Sequence, residues 1–287
     1  MAAVGTDRYS SEVALGRARA RRWWVAGRRI ASIERAATFV DDVGFALLFP
    51  SPRLLAPSLW EAVAGEDADA FATGMGANEA KVWAWKDELP RRGLAWYGAF
   101  LGGRGSFLSP ALVAALYPGN GEIDDHESLP LSPTAHEIAG ALAGQPLSSA
   151  ALRALIGDRN RYQRAIIELQ RQLLVTNAGV QENRSGWPSA LIELTCHRFA
   201  VGAGHDNGLV ATRFLDTMLV ASAGDLARAV RWPTAQARAE LDELVRAGRA
   251  VADGPLYRPA ATYQTSPSRR SQVSSSARSS PASSGKT

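Results

Sequence analysis

Between Leu131 and Phe199 the chain packs helix starts, helix stops and a tight turn so closely that a compact three-helix unit followed by a hairpin accommodates them best. Ser132 and Pro133 stand at cap and first-turn positions ahead of a helical stretch from Ala135 to Ala143, which Gly144 ends. Ser148 or Ser149 caps a second helix through Leu152, Leu155 and Ile156, and Gly157 supplies the turn after it. In a third helix Tyr162, Ala165, Ile166, Leu169 and Leu173 recur at three- and four-residue steps, so one face is buried while Arg161, Arg164, Glu168 and Arg171 point away. Leu174 to Val180 and Ala190 to Cys196 read as strands around a polar turn that carries Arg184 and Trp187. Three helices and a β-hairpin make a winged helix-turn-helix over residues 131–205.

A weaker copy follows about 75 residues later, with helices expected over Thr212 to Ala221, Asp225 to Val230 and Thr234 to Ala247 and short strands at Arg249 to Val251 and Leu256 to Tyr257. Leu152 and Ile156 match Leu226 and Val230, and Glu168-Leu169 matches Glu243-Leu244 after a one-residue slip. Its third helix, with Arg238, Asp242 and Glu243, is less basic and suits packing or dimer contacts. This second unit spans residues 206–258. Ahead of both, residues 1–130 read as an α/β domain: a helix at Glu34 to Asp42, a strand at Gly44 to Phe49, a capped helix at Ser58 to Ala64, and a helix at Leu89 to Leu101 broken near its start by Pro90. Residues 259–287 are Ser-, Arg- and Pro-rich with almost no large apolar side chains, which predicts a disordered basic tail. The fold class is therefore α+β, mainly α, with tandem winged helix-turn-helix domains.

Charge has to be read locally. The tail after Arg258 holds Arg269, Arg270, Arg278 and Lys286 without an acid, which accounts for the whole formal net charge of +4. The first 35 residues have eight arginines against three acids, so residues 36–258 are net negative. A nucleic-acid surface must come from patches. One patch is the third helix of the first unit, where Arg159, Asn160, Arg161, Gln163 and Arg164 suit major-groove readout: arginine pairs with a guanine edge, Asn or Gln with adenine. Arg184 at the wing tip suits a phosphate, and Trp187 packing beneath the hairpin. The same residues also satisfy the plain reading of a solvated helix face.

Other chemistries find little support. One cysteine, Cys196, permits no internal disulfide and fits a reduced cytoplasm. Met1 to Ser10 has no signal-peptide character, and the apolar run Val43 to Phe49 falls short of the ~20 residues that cross a bilayer. His126, His136, His197 and His205 are scattered without zinc-site spacing, so no metal and no small-molecule cofactor is expected. Gly102-Gly103-Arg104-Gly105 lacks the ending of a nucleotide-binding loop and reads as a turn before a strand at Phe107, and no GxSxG elbow occurs. Trp83 to Pro90, with Trp96 and Tyr97, reads either as core tryptophans beside a solvated edge or as a cleft lined by Trp85 and Lys86, with Asp87 and Glu88 as candidate carboxylates.

Four stretches together resemble the AlkZ-like (YcaQ-type) DNA glycosylases, and more closely the AlkZ-related proteins: Phe39 to Pro50, Ser58 to Val63, Trp85 to Pro90 and Tyr162 to Gln170. The resemblance covers about Ile30 to Phe199. It implies tandem winged helices forming a concave, basic surface for double-stranded DNA, which in the glycosylases excises alkylated or crosslinked bases without a metal. The glycosylases' catalytic pair, glutamine then one residue then aspartate or glutamine, falls on Gly44 and Ala46, and their Trp-x-His-Glu stretch on Trp85-Lys86-Asp87-Glu88. These readings imply a cytoplasmic, bacterial-type DNA-binding protein, a damage binder or regulator without the catalytic motif. A glycosylase with a relocated site, and a protein-interaction module that no longer touches DNA, are the alternatives.

Overall fold

A computed structural model describes residues 11–27, 29–66, 74–182 and 188–261. A three-stranded antiparallel sheet lies at the centre of the N-terminal part. Its strands are β1 (Phe45–Leu47), β2 (Trp96–Ala99) and β3 (Gly105–Leu108), in the order β1-β3-β2. The register explains why the stretch after Gly44 is apolar without alternation. Phe45, Trp96 and Leu108 face one core, and Ala46 and Phe107 face another, so both sides of the sheet are dry. On the Phe107 side pack α2 (Ile33–Val43), α3 (Leu59–Ala64) and α4 (Ala77–Arg91), through Phe39, Val40, Leu59, Trp60, Val82 and Leu89. On the other side the core continues through Leu112, Val113 and Ala115 of α5 (Pro110–Leu116) without a break into the C-terminal half.

That half repeats one element order twice. The first copy runs α6 (Pro133–Leu142), β4 (Leu147–Ser148), α7 (Ser149–Ile156), α8 (Arg159–Arg171), β5 (Val175–Gln181) and β6 (Ser189–Leu194), with sheet order β4-β6-β5. The second runs α9 (Asn207–Met218), β7 (Ala221–Ser222), α10 (Ala223–Val230), α11 (Thr234–Arg246), β8 (Ala250–Asp253) and β9 (Leu256–Pro259), with order β7-β9-β8. In each, serine starts the helix after the short strand: Ser148 accepts from Ala151 N, and Ser222 forms a capping box with Asp225. The one-residue slip between the copies has a visible origin. Gly157 and Asp158 join α7 to α8, whereas Arg231, Trp232 and Pro233 join α10 to α11.

Three expectations change. No helix covers Leu89 to Leu101: the helix is α4, which ends just after Pro90, and Trp96 to Ala99 alternate as a strand. Pro90 therefore ends a helix instead of breaking one near its start. The first helix of the second copy begins earlier, at Asn207, because Asp206 caps it by accepting from Leu209 N, and Ala221 belongs to a strand. The second copy also reaches past residue 258, since β9 includes Pro259 and Ala260 is buried. Arg184 and Trp187, and residues 262–287 of the basic tail, lie outside the described residues.

The parts are joined by polar contacts as well as by apolar packing. Thr176 Oγ1 accepts from Tyr97 N and donates to Tyr97 O, both at 3.1 Å, and Gln170 Oε1 accepts from Ala99 N at 3.0 Å. These close the free edge of β2. At the opposite end α1 (Glu12–Arg22) has no buried residue and docks through its arginines. Arg19 donates to the carbonyls of Met218 and Val220, and Arg22 to those of Asp216 and Asp42. Thr217, fully buried, donates to Val43 O at 2.6 Å. Replacing Thr217 with Val should leave that buried carbonyl without its donor and destabilise the protein by about 1–3 kcal/mol in denaturant titrations, whereas a loss within error would show the bond to be dispensable.

Candidate nucleic-acid interface

The position of α8 is fixed before its outer face is considered. Tyr162, Ala165, Ile166 and Leu169 are buried. Glu168, which the sequence places on the outward face, instead accepts from Ser132 N at 2.8 Å and Ser132 Oγ at 2.6 Å, tying α8 to the cap of α6. Gln170, also buried, reaches β2. Periodicity cannot distinguish a charged side chain that faces solvent from one that caps a neighbouring helix, so both roles went unread. At the N-terminus Asp158 caps α8, and the Arg161 N–H holds its carboxyl below the usual range, helped by the charges of Arg161 and Arg164.

What remains exposed on α8 is Arg159, Asn160, Arg161, Gln163 and Arg164 in its first half and Arg171 at its end. Arg161 is partly committed, since Nη2 donates to Thr134 Oγ1 at 3.1 Å. Among the described residues, the side chains of Arg159, Asn160, Gln163 and Arg164 make no internal hydrogen bond or ion pair. α11 differs. Its Asp242 accepts from Tyr257 Oη at 2.7 Å, and its Glu243 pairs with Arg246, so its charges are mixed and three of them are spent internally.

The carboxylates of α4 are engaged as well. Asp87 is buried; one oxygen is paired with Lys86 Nζ at 2.5 Å and the other accepts from Asn177 Nδ2 at 2.5 Å, which joins α4 to β5. Trp85 packs against the outer core, and the Lys86 ammonium sits 4.7 Å from the ring centre of exposed Trp83. Burial, then the charge of Asp87, raises the Tyr97 hydroxyl well above its usual range. Glu88 accepts from Arg91 and Arg92 at 2.6 Å, and these bonds lower its carboxyl to about 2. So low a value makes Glu88 a poor proton acceptor at neutral pH. Among the described residues no three His, Cys, Asp or Glu side chains converge on a metal-sized site. No helix among them is long and apolar enough to cross a membrane.

The profile of the AlkZ-related family matches residues 30–212, well over half of the chain. The protein belongs to the AlkZ-related family. No curated protein sequence matches it. Among solved structures it is similar to Streptomyces sahachiroi DNA glycosylase AlkZ, at 13% sequence identity and a TM-score of 0.47, over 81% of this chain and 64% of that one. The chain thus spans less than two thirds of the length of that structure.

In this AlkZ-related protein the two positions set against the catalytic pair are structural. Gly44 follows α2 at φ 79°, and a Cβ there would stand 2.4 Å from Arg213 Cγ and 2.9 Å from Arg213 Cδ. Arg213 reaches over from α9 and donates to Asp42 O at 3.2 Å, so the space a longer side chain would need is filled. Ala46 is wholly buried in β1 opposite Phe107. Gly44→Ala should cost more than about 1 kcal/mol, combining a left-handed backbone with overpacking. In an Arg213→Ala background the cost should shrink, and a thermal-melt double-mutant cycle that finds none would refute the steric account. For Glu88 the sign follows from a lowered carboxyl: its pairing stabilises above its ordinary value of 4.5 and is lost as pH falls toward 2. Because the pairs are exposed, Glu88→Gln should cost only about 0.2–1 kcal/mol at pH 7, and the difference should fade in acid.

Proposed function

We propose that this AlkZ-related protein binds double-stranded DNA through two winged-helix units in tandem, with α8 as the helix that meets the groove. The observation that carries the reading is the outer face of α8. The side chains of Arg159, Asn160, Gln163 and Arg164 make no hydrogen bond or ion pair among the described residues, on a helix whose inner face is held by Ser132 and Ala99. An unspent donor set of that kind on a fixed helix suits base edges and phosphates, and preorganisation lowers the entropy lost on binding. The repeated element order, with each sheet reading first strand, third strand, second strand, is the one a winged helix requires. We assign groove contact to the first unit, because the acids of α11 would repel phosphates.

The proposed role is recognition of a DNA site or lesion, as a damage binder or regulator, without base excision by the glycosylases' catalytic pair. Gly44 and Ala46 offer no group to position water, and Asp87 and Glu88 are held by their own partners. General-base help of the missing kind is typically worth about 10²–10⁴ in rate. The glycosylase reading forecasts excision of alkylated bases, whereas the binding reading forecasts none. Duplexes carrying N7-alkylguanine should form abasic sites no faster with the protein than without it. Turnover above that control, lost on Asp87→Asn, would install Asp87 as the base.

Binding itself is tested by replacing Arg159 and Arg164 with Ala. Each lost phosphate contact should lower the slope of log affinity against log salt by about one. Equal binding by the double variant at every salt concentration would remove α8 from the interface.

A further inference from the structure

The α8 face does not stop at Arg164. Asn160, Arg164, Ile167 and Arg171 follow one another at four- and three-residue steps, which puts exposed Arg171 on the same side, about 10 Å farther along the axis. Its guanidinium rests on the turn Leu101–Gly103: a Cβ at Gly103 would lie 3.0 Å from Arg171 Nη2. α10 packs against the same turn, Ala229 near its C-terminal end lining one small cavity together with Leu101, and Arg231 is the residue that caps the helix. Thus α8, the 101–103 turn and the end of α10 converge. Neither Arg171 nor Arg231 has an ion-pair or side-chain hydrogen-bond partner among the described residues.

The backbone at Arg231 adds an independent observation. It is left-handed, at φ 62° and ψ 29°, and the matching residue of the first unit is Gly157, at φ 70° and ψ −10°. Glycine takes that conformation freely, whereas an arginine there carries a conformational cost. Among the described residues, the other non-glycine residues at positive φ, Trp24, Leu173 and Leu219, are 3%, 1% and 6% exposed, so core packing accounts for them. Arg231 is exposed, and packing does not account for it. Cations at helix C-termini are favoured by the helix dipole, which would explain either arginine alone. It does not explain why two are placed within range of mutual repulsion: burial, then the charge of Arg171, lowers the Arg231 guanidinium.

We infer that Arg171 and Arg231 form a clamp for one backbone phosphate of bound duplex DNA, carrying the contact surface of α8 across to the second unit. The inference rests on the DNA-binding reading above. A phosphodiester supplies the negative charge that the two guanidiniums lack, and it can accept from both at once. The glycine at position 103 leaves the room in which Arg171 lies.

The test uses the full-length chain and a short duplex, with affinity measured as a function of salt for the wild type, Arg171→Gln, Arg231→Gln and Arg231→Gly. Each variant should keep the wild-type circular dichroism spectrum and weaken binding several-fold, and the Arg171→Gln, Arg231→Gln double variant should lower the log–log slope by about one, the worth of a single phosphate; Arg231→Gly should also melt no lower than wild type, because it relieves the left-handed strain. Replacing single phosphates with neutral methylphosphonates should reveal one position that weakens wild-type binding but not binding by the Arg171→Gln, Arg231→Gln double variant. An unchanged affinity and slope in the double variant, alongside a reduced slope for Arg159→Gln, would overturn the clamp and leave the α8 interface standing. Reduced slopes with no such phosphate position would also overturn it, by showing only a general loss of charge. No duplex binding by the wild type would remove both readings.

Discussion

The C-terminal end of α2 leaves carbonyl groups inside the protein that the helix itself cannot satisfy, and much of the architecture is arranged around them. Asp42 O accepts from Arg22 and Arg213, and Val43 O from Thr217. The Asp42 carboxylate adds Arg22 Nη1 at 3.1 Å and Trp24 Nε1 at 2.7 Å. Two cations over a helix C-terminus also oppose the negative end of its dipole. One short stretch thereby fixes α1, the central sheet and α9 relative to each other. α1 depends on it most, having no apolar face of its own.

The same arrangement ties stability to chemistry. Arg213 can cover Asp42 only because position 44 has no side chain, so the residue that closes the helix is also the one that keeps a polar group from projecting there. A side chain at this position would require the Arg213 side chain to move or to be shorter. On the far side of the sheet, Gln170 and Thr176 fasten β2 to the first unit and Glu168 fastens α8 to α6. Groups that appear in sequence as a polar helix face thus divide into those that fix the helix and those that remain for a partner.

The helices of the C-terminal half were legible because their signals are local: Ser132 with Pro133, Ser148, Gly157 and the Tyr162-to-Leu173 stripe each act within a turn or two of their own position. α1 was not legible, since its hold on the protein is made by arginine side chains on carbonyls about 200 residues away. The two-residue strands β4 and β7 escaped for another reason: a pair of residues has no periodicity to detect. The resemblance found the family from its motifs. It could not reveal that Asp87 is consumed by Lys86 and Asn177, because Asn177 lies 90 residues further along the chain.

The closed edge of β2 bears on how the protein behaves in a crowded cell. In the order β1-β3-β2 the outer strand presents the N–H groups of Tyr97 and Ala99 outward, and side chains from the first unit take both. At the other edge, β1 is partnered by the chain itself, with Leu47 N donating to Pro57 O. An open sheet edge is a template for another molecule's strand and a common origin of aggregation. Here neither edge is available for growth while the first unit stays docked. Partial unfolding that releases Thr176 and Gln170 would therefore expose β2, making the docked C-terminal half a guard against fibril-like association.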